Sequence, residues 1–193
     1  MRISLCNEVV AGLRFEKQCE LIRGLGYDGI EIAPVTLSKQ PHLLAASRRK
    51  EIKKIAADAG LPITSLHYLM VAPEGLSITA KDPTVRARTF DVMRGLVGLA
   101  VDLGANLLIH GSPAQRQLEI GDEFDGEKRG IEYFAAAAEA ASAAGVTYLL
   151  EPLARDHTRF VNTVEQAVAI VRSIDNPSLR TMIDCSAASL SES

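Results

Sequence analysis

Five residues of this chain, Glu31, His67, His110, Glu151 and Asp184, are of types that bind metals or move protons, and each sits at the C-terminal end of a candidate strand. Glu31 follows Gly29-Ile30, and His67 follows Ile63-Thr64-Ser65-Leu66. His110 follows Asn106-Leu107-Leu108-Ile109, Glu151 follows Tyr148-Leu149-Leu150, and Asp184 follows Met182-Ile183. Two imidazoles and several carboxylates in one place suit a divalent ion such as Mn2+, Mg2+, Co2+ or Zn2+. The same set suits general acid/base work. A carboxylate after a buried run costs on the order of several kcal/mol unless it is paired or metal-bound, which singles out Glu151 and Asp184. A lone His at a strand end is ordinarily a hydrogen-bonded structural residue. His67 and His110, at the same point of successive repeats, tip the balance toward function. Glu31 stands evenly between a site role and the capping of a loop. Cys185 has no base beside it and is read as a buried thiol.

What must position these residues is a repeat. Ile3–Cys6 predicts a first strand, and Arg14–Leu25 a helix with Phe15, Cys19, Ile22 and Leu25 at helical spacing. Gly29–Ala33 predicts the second strand and Ser47–Ala59 the second helix, stopped by Gly60. Ile63–Tyr68 is the third strand, and a helix opened by Pro83 carries Val92, Leu96, Leu99 and Leu103 up to Gly104. Asn106–His110, a helix over Glu127–Ala144, and Val146–Glu151 follow. Thr163-Val164-Glu165-Gln166 is a capping box for a helix ending near Ile174, and Arg180–Asp184 is the sixth strand.

Regular βα alternation means a parallel sheet with helices packed outside. The first turn, Asn7-Glu8-Val9-Val10-Ala11-Gly12, offers no GxGxxG loop of the doubly wound kind. The expectation is a (β/α)8 TIM barrel, whose functional face lies at the C-terminal strand ends where all five residues fall. Such a barrel takes about 250 residues, and the chain has 193. About six βα units are legible, so residues 1–193 are read as a single domain that is incomplete at its C-terminus.

Composition narrows the class. Hydrophobic residues are 47% and charged residues 23%, which excludes general disorder. The net charge of −3 carries no basic footprint for nucleic acid. Three cysteines without CxxC spacing argue against a zinc ribbon and suit a reducing compartment. No run approaches the roughly 20 apolar residues of a membrane span, so the chain is read as soluble and cytoplasmic. Lys81 and Arg116, in the long loops Val71–Asp82 and Gly111–Asp125, are placed to meet a substrate phosphate. Each is nonetheless read as a solvated surface charge.

Four segments carry a resemblance that spans the first to the sixth strand. They are Gly24-Leu25-Gly26-Tyr27-Asp28-Gly29-Ile30-Glu31, Glu151-Pro152-Leu153, Phe160-Val161-Asn162-Thr163 and Met182-Ile183-Asp184. In their order and position the chain resembles the xylose isomerase-like TIM-barrel superfamily, which holds sugar (phosphate) isomerases and epimerases and the AP endonucleases of family 2. The resemblance implies Glu151 and Asp184 as two metal ligands, with Glu151 also an acid/base group. It implies that His67 and His110 line the substrate site in the isomerases or bind zinc in the nuclease branch. The family's remaining ligands, a His on strand seven and a Glu on strand eight, have no counterpart. Ala187 stands where the family often has a His of the multi-zinc cluster, which argues against the nuclease branch, as does the acidic balance.

The implied function is metal-dependent isomerisation or epimerisation of a sugar or sugar phosphate through an enediolate. In it Glu151 moves a proton, and His67, His110 and Glu31 bind substrate, with both imidazoles neutral near pH 7. Alternatives on the same barrel are an AP-endonuclease-like hydrolase, an inosose-type dehydratase, or a non-catalytic truncated barrel. Six of eight strands leave two edges to be covered, so a homo-oligomer is also considered.

Overall fold

In the computed structural model, which describes residues 1–191, six parallel strands pair in sequential order from the first to the sixth. They are β1 Ser4–Cys6, β2 Gly29–Ile32, β3 Ile63–His67, β4 Leu107–His110, β5 Thr147–Leu150 and β6 Leu179–Thr181. A helix follows each: α1 Phe15–Gly24, α2 Ala46–Asp58, α3 Pro83–Leu103, α4 Glu123–Ala144, α5 Val164–Ile174 and α6 Cys185–Ser191. Sequential order without a switch point is the arrangement of consecutive units of a (β/α)8 barrel.

Local chemistry sets the helix ends. Asp82 accepts from the Thr84 N–H at 2.7 Å, and Pro83 fills the first position of α3. The α3 and α4 helices stop at Gly104 and Gly145, whose φ of 81° and 69° is left-handed. The capping box of Thr163 and Gln166 opens α5.

Two elements differ from expectation. The α4 helix begins at Glu123 rather than Glu127, taking in a stretch of weak helix propensity. Tertiary packing overrides that propensity, because Gly126 and Gly130 lie against neighbours. A Cβ there would fall 2.9 Å from Leu118 and 2.3 Å from Phe160. The second difference is β6, which ends at Thr181 rather than Asp184. Asp184 instead opens α6, its Oδ1 accepting from the Ser186 and Ala187 N–H groups at 2.8 and 3.2 Å. Cys185, expected as a buried thiol, is therefore the exposed first residue of a short helix.

Strand alternation divides the sheet into two faces. Ile30, Ile32, Leu66, Leu108, His110, Tyr148 and Leu150 are all fully buried beneath the helices. They belong to one core with Val92, Leu96 and Leu99 of α3 and Phe134, Ala137 and Ala141 of α4. The inward face carries the other parity. Across it Cys6 pairs with Glu31, Glu31 with Ser65, His67 with Ile109, and Ile109 with Leu149. Among the described residues no helix is long and apolar enough to cross a membrane.

Candidate active site

The inward face is polar at its C-terminal rim. There His67 sits between two carboxylates, with Nδ1 3.6 Å from Glu31 Oε1 and Nε2 3.5 Å from Glu151 Oε2. Ser65 Oγ fixes Glu31 by donating to Oε2 at 2.5 Å. Cys6, from the end of β1, completes the group: one donor atom each of Cys6, Glu31 and His67 lies within 4.8 Å of the others. Burial pulls the His67 imidazole toward the neutral form. The Cys6 sulfur and the charges of Glu151 and Glu31 outweigh it, and its pKa is pushed up to about 10. The neutral imidazole expected at this position is thus an imidazolium near pH 7.

Glu151 is 5% exposed, and its Oε2 is buried with no hydrogen-bond partner. The room for this carboxylate comes from Gly111, the next inward position after Ile109. A Cβ on Gly111 would lie 1.6 Å from Oε2. Behind it Arg116 is fully buried and donates from Nη2 to the Glu151 carbonyl oxygen at 2.7 Å. Burial lowers the guanidinium pKa to about 10 against the opposing charge of Glu151, so it remains a cation. This corrects the expectation of a solvated surface charge at Arg116. The 3-10 turn Pro113–Arg116 folds the loop inward, and Thr158 Oγ1 ties the Arg116 carbonyl at 3.0 Å. Lys81 does lie at the surface, 3.4 Å from Glu119.

A cleft of about 460 Å³ opens over these groups. His67 and Glu151 line it from the strand ends and Asp184 from the start of α6, with Glu8, Tyr68 and His157 from loops. The loop bearing His157 is held by buried Asn162, whose Nδ2 donates to the Leu153 and Thr158 carbonyls at 2.7 and 2.8 Å.

His110 does not join this group. It shares the parity of Leu108 and points under the helices, where Nδ1 meets the Tyr148 hydroxyl at 2.9 Å. Tyr133 and Phe134 stand edge-on to its ring at 5.4 and 5.2 Å. Burial, aided by the Arg116 charge, lowers its pKa to about 3, so it is a neutral packing residue.

Of the five residues singled out by type, Glu31, His67, Glu151 and Asp184 thus share the inward rim. Cys6, Gly111 and His157 escaped sequence reasoning, and Arg116 was singled out only as a surface charge. For Cys6 and Gly111 a signal existed, since each is an inward position at a strand end when pleat parity is counted. For the burial of Arg116 and for His157 none did, because both lie in loops without periodicity.

Known proteins share this fold. Residues 19–192 match the family model of the xylose isomerase-like TIM barrel. D-psicose 3-epimerase of Ruminiclostridium cellulolyticum is 30% identical over 169 residues, covering 86% of this chain and 55% of that protein. The chain therefore spans about half the length of that curated relative. A crystal structure of D-psicose 3-epimerase in the presence of D-fructose superimposes on the whole chain with a TM-score of 0.85 at 19% identity, using 66% of its own length. L-ribulose 3-epimerase does so with a TM-score of 0.81 at 25% identity and 63% of its length. The 3-keto-D-glucoside 4-epimerase of E. coli gives 0.79 at 16% identity and 71% of its length. By the extent of the family match and the order of its six βα units, this chain belongs to the xylose isomerase-like TIM-barrel family.

Proposed function

We propose that the chain carries the proton-transferring and metal-holding groups of a sugar or sugar-phosphate epimerase or isomerase, within one domain over residues 1–193. The observation that carries this reading is the Glu151 carboxylate beside a polar cleft, buried with no hydrogen bond to Oε2 and only the His67 imidazole facing it at 3.5 Å. A buried carboxylate oxygen without a partner is costly unless a ligand, ion or substrate completes it. Similarity to a D-psicose 3-epimerase supports the substrate class.

The residues fit a divalent ion. A Glu151 oxygen without a hydrogen bond, with Asp184 on the same cleft, is an oxygen donor set that Mn2+, Mg2+, Co2+ or Zn2+ accepts, and these two residues would hold it. When bound, such an ion supplies the positive charge that polarises a sugar carbonyl.

The chain's own groups do the rest. Glu151 takes the proton from the carbon beside the carbonyl, leaving an enediolate. The His67 imidazolium donates to a substrate oxygen and stabilises the negative charge that develops there. Glu31, anchored by Ser65, holds His67 in place. Arg116 fixes the Glu151 backbone, and Gly111 leaves the carboxylate its space.

The test is solvent deuterium incorporation beside the carbonyl of D-fructose or D-psicose, with divalent metal supplied. The wild-type chain should incorporate label. Glu151→Gln should abolish incorporation while its melting curve stays cooperative. Undiminished exchange in Glu151→Gln, or none in the wild type, overturns the proposal.

A further inference from the structure

Beside the Glu151 and Asp184 pair, the first three strands bring three unlike donors together. Cys6 and Glu31 are direct partners across β1 and β2, and His67 ends β3 on the same face. Their donor atoms lie within 4.8 Å of one another. A tetrahedral ion with bonds of about 2.0–2.3 Å needs donors roughly 3.4 Å apart. Glu31 Oε1 and His67 Nδ1, at 3.6 Å, already meet this, so only the thiol must close in.

The hydrogen bonding leaves the needed atoms free. Ser65 occupies Glu31 Oε2, which turns Oε1 toward His67. His67 Nδ1 is buried and has no hydrogen-bond partner. Its Nε2 faces Glu151 Oε2 at 3.5 Å, the relation by which a carboxylate orients a metal-bound imidazole.

We propose that Cys6, Glu31 and His67 form a second cation site, distinct from Glu151 and Asp184, that takes a thiolate-preferring divalent ion such as Zn2+. Sulfur, imidazole and a single carboxylate oxygen select Zn2+ or Co2+ over Mg2+ and Ca2+, which take oxygen ligands. Binding displaces two protons to the buffer, one from the Cys6 thiol and one from the His67 imidazolium, so in the loaded protein the ion takes over the positive charge that the imidazolium otherwise presents to substrate. No electron moves. Three protein ligands leave a fourth position for water or a ligand atom, as in open zinc sites.

The test is titration of the reduced chain with Co2+ alone, followed by the thiolate-to-cobalt charge-transfer absorption in the near ultraviolet. The wild type should develop this band and saturate near one equivalent. Cys6→Ser should lack it, while Cys185→Ser keeps it. Glu31→Gln and His67→Asn should each weaken Co2+ binding at least tenfold. No band in the wild type, or a band that survives Cys6→Ser, overturns the site.

If Cys6→Ser does not fold, Zn2+ protection of Cys6 against alkylation in the wild type reads the same contact. Protection of at least tenfold is expected, and unslowed alkylation refutes the site. The thiolate band does not depend on Glu151 acting as a base. Loss of sugar exchange with the band intact, or the reverse, therefore separates failure of this site from failure of the proposed function.

Discussion

Gly111→Ala is the sharpest perturbation of the Glu151 carboxylate, because it adds one methyl group and nothing else. Its Cβ would fall 1.6 Å from Glu151 Oε2, 2.7 Å from Cδ and 3.4 Å from Oε1. A carbon–oxygen contact settles near about 3.2 Å, so Oε2 must retreat by about 1.6 Å. That atom is the one 3.5 Å from His67 Nε2 and the one without a hydrogen bond. The backbone at Gly111 is not in the left-handed region, so alanine adds no dihedral strain. The damage is confined to the carboxylate and its packing.

Overpacking of this kind costs about 1–3 kcal/mol of stability. A displacement of 1 Å in a reacting group costs about 100-fold in rate, or about 2.7 kcal/mol in activation free energy. The assay is deuterium exchange into the ketose, with kcat and KM measured separately beside urea unfolding. The loss should fall on kcat. Gly98→Ala on α3 is the control, since its Cβ meets nothing closer than Arg49 Nη1 at 4.0 Å. That change should stabilise the chain by about 0.5–1 kcal/mol and leave exchange untouched. A Gly111→Ala chain that exchanges at the wild-type rate would show that the position of Glu151 does not matter, and the reasoning would fall.

The remaining outcomes concern stability and Asp184. His110 is held neutral with a pKa near 3 by burial among Tyr148, Tyr133 and Phe134 and by the Arg116 charge, whereas the unfolded chain protonates near 6.5. A lowered folded pKa means that stability present above pH 6.5 is lost as pH falls toward 3. Relative to His110→Phe, which does not titrate, the wild type should lose about 2 kcal/mol between pH 7 and pH 5 in urea unfolding. A difference independent of pH refutes this. Asp184→Asn retains an oxygen for the start of α6 but loses the charge proposed to hold the ion. Its melting temperature should hold while exchange falls at least 100-fold, and a matched loss of both would assign Asp184 a structural role alone. Asn162→Ala removes two buried hydrogen bonds from the loop bearing His157 and should cost about 2–3 kcal/mol, read from urea midpoints. An unchanged midpoint would mean that the loop is held otherwise.

Much of the fold was legible because it rests on short-range patterns. The period of Val92, Leu96, Leu99 and Leu103, the Gly104 and Gly145 stops and the Thr163–Gln166 box are local devices, and each appears where the sequence put it. The start of α4 was not legible, because Gly126 and Gly130 are explained only by the side chains they meet from distant segments. The end of β6 was hidden for a related reason. Met182-Ile183-Asp184 has a strand's composition, but the chain turns there because Asp184 satisfies the first N–H groups of α6.

By itself the sequence determined the parallel βα repeat and the rim on which Glu31, His67 and Glu151 gather, since strand ends follow from apolar runs and glycine stops. Only the tertiary structure decided which polar residues face one another. His110 and Gly111 are neighbours in sequence, yet the pleat sends one beneath the helices and leaves the other beside Glu151. Cys6, Glu31 and His67 are brought within reach by register between strands, and Arg116 is buried by the path of a loop. Spacing along one strand or helix is a local property. Contact between strands depends on pairing across the sheet, which no single segment encodes.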